Sequence, residues 1–415
     1  MIDAVPTAGG RRQLLPSNRW VALAIVFLAR TCVGFQFIAV AAQMPQLRAD
    51  LHFDYSQIGI LLGVFMIAGA LLSLPSGMIA NRLGDRRTIQ IGLIALVVGG
   101  TILGSGETFH AALIGRIIGG FGAVFITVPA AKILTDWFVD KEMATAMSVL
   151  GVAWPVGIAV GMSLLPFINV WSDWRVAVYV TAATPALAML LVSILPAPSE
   201  KTVAGAAPPS SKPAARPPLW SIHRREFWII LAGGAAWPLM STGGYVVFTS
   251  YAPLMLIDRG IPHTSAALVI SLLSWLIIVT IPLGGYLSDR TGKKDLMFWG
   301  GCLIAAAAIA MVPVMSPVEP WVVLSAILGF TVGMVMALPG EVLSPESRAT
   351  GLGLYYTMYY TGTGILPVIA GWIQDTTESP AAVIWFSAAC LAIAPFFLLA
   401  FRILQNRWKL DDQVL

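Results

Sequence analysis

Apolar runs of about twenty residues, each long enough to cross a bilayer as a helix, recur along almost the whole chain. They lie near 20–44, 56–80, 88–105, 110–135, 144–168 and 175–196, and again near 227–256, 264–288, 295–315, 321–343, 350–373 and 381–404. Of 415 residues, 57% are hydrophobic and 11% charged, where a soluble protein carries about 25% charged residues. Mean hydropathy is +0.81. So much apolar surface cannot be hidden inside a water-soluble globule of this size. The first run begins near Trp20 and is long enough to span, so it reads as a retained helix and not as a cleaved signal.

Between the two sets lies PAPSEKTVAGAAPPSSKPAARPP, Pro196 to Pro218, whose Pro, Ala, Ser and cations read as a linker in water. The expected division is an N-terminal six-helix bundle at 1–196, a cytoplasmic linker at 197–226 and a C-terminal six-helix bundle at 227–415. With both termini and the linker inside, roughly 19 of the Lys and Arg residues become cytoplasmic, and only Arg48, Arg175 and Arg259 fall outside. That bias places both termini in the cytoplasm, with the chain in the plasma membrane, a bacterial inner membrane.

Other classes find little support. Cys32, Cys302 and Cys390 sit in separate spans without metal or disulfide spacing. His52, His110, His223 and His263 lie at or beyond membrane edges, and no nucleophile–base pair can be read, so neither an enzyme nor a cofactor nor a metal is expected. The net charge of +4 reflects topology and not a nucleic-acid partner.

The two sets repeat each other. GMIANRLGDRR starts at Gly77 and GYLSDRTGKK at Gly285; KEMATAM from Lys141 parallels ESRATGL from Glu346. The two loops resemble the signature G-x-x-x-D-R-x-G-R/K-R/K of the major facilitator superfamily. Gly285, Asp289, Arg290, Gly292, Lys293 and Lys294 match it fully; the first copy keeps Gly77, Arg82, Gly84, Arg86 and Arg87 but has Asn81 in place of the aspartate. GRIIGGFGA, with Arg116, Gly120 and Gly122, is similar to the family's R-x-x-x-G-x-G motif, and Pro155, Gly157 and Gly161 to its fifth-helix motif. The resemblance implies an all-α membrane protein of twelve transmembrane helices in two pseudo-symmetric bundles. It also implies that the two loops act as a conformational lock, and that the first, fourth, seventh and tenth helices line a central path.

Arg30 lies in the middle of the first span, where a charge costs at least roughly 2.5 kcal/mol. Arg116, on the fourth, falls at a similar height, about 5 Å away along the membrane normal. No Asp or Glu is found near mid-depth, so two guanidinium groups can converge on an anion. Two roles stand open for Arg116: contact with solute, or bonding to backbone carbonyls of a neighbouring helix. Lys132 reads as a surface partner of Asp136 at i+4.

The arginine pair is similar to that of the anion:cation symporter branch, although Ala29 and Ala123 stand where that branch has acids. ILTDWFVDKE is similar to nitrate and cyanate porters. The second half offers Trp237 and Tyr245 on the seventh helix and Tyr356, Tyr359 and Tyr360 on the eleventh as further solute contacts. Pro238, Gly243 and Gly244 permit a bend in the seventh helix; Gln36 and Gln43 share a face that can line the entry or meet the second bundle. The leading reading is a transporter of a small anionic solute, an organic carboxylate or small inorganic anion, working as a monomer among membrane lipids by alternating access. The alternative is a proton-coupled exporter of drugs or metabolites on the same fold.

Overall fold

A computed structural model describes residues 18–138, 142–194, 224–343 and 348–414. A first set of helices comprises α1 Arg19–Ala42, α2 Met44–Leu51, α3 Tyr55–Leu83, α4 Asp85–Ser105, α5 Phe109–Trp137, α6 Met143–Trp171 and α7 Trp174–Ser193. In the second, α8 Arg224–Pro238 leads through a π-helical stretch, Leu239–Val247, into α9 Phe248–Asp258. There follow α10 His263–Thr291, α11 Lys294–Met311, α12 Glu319–Ser325, α13 Gly329–Ala337, α14 Arg348–Thr377 and α15 Pro380–Val414. The expected linker, 197–226, lies outside the described residues except for its last three, which begin α8.

Ten candidate spans among the described residues are long and apolar enough to cross a membrane, and the protein is an all-α integral membrane protein. The two other expected spans depart from that pattern for local reasons. The seventh is divided by its π-helical stretch, which starts directly after Pro238. The eleventh, α14, carries four tyrosines and three threonines between Tyr355 and Thr363, which dilute its apolar character.

Glycine sets the helix contacts, because apolar spans in lipid associate by close packing and not by hydrophobic burial. A Cβ at Gly157 or Gly34 would lie 2.3 Å from the Thr31 carbonyl oxygen or 2.4 Å from that of Trp154, so α6 and α1 touch backbone to backbone. Gly122 meets the Gly92 carbonyl and Gly120 that of Phe65 in the same way. The glycines of GRIIGGFGA therefore seat α5 on α4 and α3. In the repeated loops, Gly84 at φ 86° and Gly292 at φ 66° turn the chain between helices where other residues would be strained.

The sets join along a seam between α3 and α14, which run antiparallel. Close pairs follow one another along it: Gly371 with Tyr55, Gly59 with Pro367, Gly63 with Gly364, and Gly69 with the Tyr360 ring. At its outermost point the Asp375 carboxylate accepts from the backbone N–H of Tyr55 (2.9 Å) and of Ser56 (2.7 Å) and from the Ser56 hydroxyl (2.6 Å). Asp54 caps the next N–H, that of Gln57, at 2.6 Å, so the exposed donors of the first turn of α3 meet acid on both sides.

A second seam joins α6 to α10 through Ser163 and Ser271 (3.0 Å) and through Trp275 to Ser163 (3.1 Å). Hydrogen bonds joining the two sets among described residues all lie toward this far face, away from the start of α1 and the end of α15. On that opposite, terminal face the ion pairs stay within a set: Lys132 with Asp85, Arg19 with Glu142, and Arg402 with Asp295 and Glu341.

Removing the Asp375 carboxylate takes away three bonds across the seam. In Asp375→Ala, a cysteine introduced at Gln374, which is 4% exposed, is expected to react several-fold faster with a membrane-impermeant maleimide from the far face. Unchanged labelling would show that the carboxylate does not hold the seam.

Candidate functional site

Arg30 sits halfway along the 24 residues of α1 and is half-buried. The contacts of Gly34 with Trp154 and of Gly157 with Thr31 hold this part of α1 against α6. Its guanidinium forms no hydrogen bond or ion pair with any described residue. The groups that interact with it electrostatically are the phenols of Tyr360, Tyr359 and Tyr356, from α14 in the opposite set. Positions 356, 359 and 360 share one helix face at i, i+3 and i+4. Tyr355 also packs on Trp237, with ring centroids 5.4 Å apart, but its hydroxyl is taken up by the Val335 carbonyl at 2.6 Å.

The three tyrosines form a wall with Trp237 behind it. Trp237 stacks on Tyr359 with ring centroids 4.1 Å apart and planes 26° from parallel, and meets Tyr356 edge-on at 5.3 Å. Tyr359 and Tyr360 lie 5.1 Å apart. Tyr356 remains 38% exposed, with the Tyr360 ring 6.4 Å away. The structure therefore brings together Arg30, Tyr356, Tyr359, Tyr360 and Trp237.

It does not bring Arg116 to them. That side chain is 1% exposed and donates to three backbone carbonyls: Leu61 (2.8 Å), Gln36 (3.0 Å) and Phe37 (3.2 Å). Its guanidinium carbon lies 4.2 Å from the Phe65 ring centroid. Those α1 carbonyls are six and seven residues beyond Arg30, roughly 9 Å along the axis. The two-arginine clamp is thus corrected: Arg116 ties three helices together, and its planar fork is occupied by peptide oxygens. Tyr245 is corrected likewise, since its hydroxyl donates to Ser274 at 2.9 Å and it lies buried in the contact with α10.

Other expectations find their places. Gln36 donates to the Leu96 carbonyl at 2.7 Å, and Gln43 accepts from Asn169 at 2.6 Å, so both face inside the first set and neither lines an entry. Lys132 reaches Asp85 at 3.1 Å; the Asp136 side chain lies outside the described residues. Gly243 and Gly244 press against Cys390 and Leu391, and their carbonyls accept from Ser387, which makes them packing positions for α15.

In the repeated loops, a Cβ at Gly77 or Gly285 would meet nothing within 4 Å. The side chains of Arg82, Arg86, Asp289 and Lys293 form no hydrogen bond or ion pair among the described residues. Arg290 bonds only its own helix, at the Tyr286 hydroxyl (3.1 Å), and the Asn81 side chain lies outside the described residues. Among the described residues, the lock expected of these loops makes no contact across the sets.

Sequence reasoning missed Asp375 and Gly69. A signal for Asp375 existed: an acid in the last turn of a helix opposes that helix's dipole, which points to a partner elsewhere.

The two arginines separate in a thermal unfolding measurement without solute. Arg116→Lys gives up at least two charge-assisted bonds, at about 1.5–3 kcal/mol each, and is expected to lower Tm by several degrees. Arg30→Gln removes an unpaired charge and is expected to leave Tm unchanged or raise it. The reverse order would contradict the assignment.

With this geometry described, comparison with known proteins gives a consistent result. A sequence profile of the Major Facilitator Superfamily matches residues 26–340. The chain is 23% identical over 375 residues to the hexuronate transporter of Bacillus subtilis, covering 85% of this chain and 87% of that one. It is 21% identical over 384 residues to the cis,cis-muconate transport protein of Acinetobacter baylyi, covering 89% and 91%. Among solved structures, a bacterial homolog to the human lysosomal transporter Spinster, inward-facing and unoccupied, superposes with a TM-score of 0.69 at 19% identity, over 96% of this chain and 99% of that one.

Proposed function

The chain belongs to the Major Facilitator Superfamily of membrane transporters, and from that premise we propose that it carries a small organic anion by alternating access, with Arg30 as the anion-binding charge. One observation carries the reading. Arg30 is the cation at mid-depth left without a partner by the described residues, whereas Arg116 and Lys132 are bonded. An unpaired guanidinium in a low-dielectric cleft attracts an anion and matches a carboxylate with two parallel hydrogen bonds. The transport of hexuronate and of cis,cis-muconate, both carboxylates, by relatives supports the same choice.

The seam supports a mechanism. Tyr360 faces Arg30 and also packs on Gly69, where the α3–α14 contact ends. The cleft at Arg30 thus opens toward the terminal face, while Asp375 and the glycine pairs close the far face. In this reading the bundles 1–196 and 227–415 rock about the site. The far seam parts in the opposite state, and the two loops close through the open sides of Gly77 and Gly285. Asp289, Arg290, Gly292 and Lys293 on one side, and Asn81, Arg82, Gly84 and Arg86 on the other, are then the locking residues. The terminal face is cytoplasmic, as the distribution of Lys and Arg favours.

Transport in proteoliposomes loaded with labelled carboxylates tests the role of Arg30. Arg30→Gln is expected to lower uptake at least a hundredfold with normal insertion, and Arg30→Lys to restore only part of it, because one ammonium cannot form the fork. Uptake by Arg30→Gln at normal affinity would refute the reading.

A further inference from the structure

We infer that the solute is an aromatic or similarly planar monocarboxylate, and that the site rejects both dicarboxylates and polyhydroxylated sugar acids. The inference rests on the anion reading above and narrows it.

The charge count comes first. One guanidinium fork is available, since the other deep arginine donates to Leu61, Gln36 and Phe37. A second carboxylate would lie in the cleft without a cation to meet it, and a desolvated carboxylate is costly. The site therefore fits one negative charge.

The wall decides the body of the solute. Trp237 and Tyr359 already form a near-parallel stack at 4.1 Å, and Tyr356, edge-on to Trp237, leaves ring surface open beside Arg30. Flat π-systems extend such a cluster by offset stacking or edge contact. With its carboxylate held by Arg30, a ring or conjugated chain would lie along Tyr356 and Tyr360.

The polar groups decide what is excluded. A sugar acid needs a fixed partner for each hydroxyl, and a buried hydroxyl without one is penalised. The neutral hydroxyls next to the tyrosine wall already have partners: Thr242 donates to Thr363 at 2.9 Å and Ser241 to the Trp237 carbonyl at 2.9 Å. Among the described residues, the groups that interact with Arg30 are the phenols of Tyr356, Tyr359 and Tyr360, enough for a carboxylate or a single ring substituent. In this the site departs from what the hexuronate relative and the relative that transports muconate, a dicarboxylate, carry.

Isothermal titration of the full-length protein in lipid nanodiscs, with benzoate, glucuronate, terephthalate, acetate and benzamide, tests the inference. Benzoate is expected to bind at least tenfold more tightly than glucuronate, terephthalate and acetate, and benzamide not to bind. In Tyr356→Leu, the ratio of benzoate to acetate affinity is expected to fall at least fivefold. Glucuronate or terephthalate matching or exceeding benzoate, or an unchanged ratio in the variant, would overturn the aromatic assignment and leave the anion reading standing. Benzamide binding as well as benzoate, or no binding by any of the carboxylates, would overturn the anion reading itself.

Discussion

A charge inside a bilayer must find a partner, and the arrangement of this protein follows from how that requirement is met. Arg116 meets it with peptide oxygens from α1 and α3, and in doing so joins three helices around one guanidinium. Lys132 and Arg402 meet it with carboxylates near the terminal face. Arg30 is handled differently. The groups it interacts with are the phenols of Tyr356, Tyr359 and Tyr360. Among the described residues this charge is left without a bonded partner where α1 faces α14 of the other set, and on the proposed reading a transported anion supplies one.

The same place is where closure ends. Backbone contact between α3 and α14 needs glycine at every step, and the last step sets Tyr360 against Gly69. Tyr360 thus belongs both to the group around Arg30 and to the packing on α3. Farther out, Asp375 completes the first turn of α3 by accepting from its free backbone donors at Tyr55 and Ser56. Site and seam are therefore one connected structure, with no long pathway needed between them.

Much of this was legible in the sequence, for physical reasons. Hydrophobic length marked the spans, and the repeated loops marked the two sets. Arg30 stood out because a mid-span arginine is rare, and Tyr356, Tyr359 and Tyr360 because their spacing shares a helix face. What the sequence could not tell was direction. Arg116 and Arg30 look alike in a string of letters, yet one is bonded in a three-helix contact and the other meets the tyrosines of the opposite set. Counting residues along each span gave them heights about 5 Å apart, whereas Arg116 reaches α1 carbonyls six and seven residues beyond Arg30. Tyr245 failed for the same reason: its hydroxyl is used by Ser274. The contribution of Asp375 was hidden because its partners are backbone groups more than 300 residues away.

The central claim is that the unpaired guanidinium on α1 holds the transported anion. A structure of the protein saturated with 4-bromobenzoate, with the bromine located by anomalous scattering, tests it most directly. The account expects the carboxylate within hydrogen-bond distance of both terminal nitrogens of Arg30 and the bromine along the Tyr356 face. A carboxylate bound to any other cation, with Arg30 still facing only phenols, would contradict it.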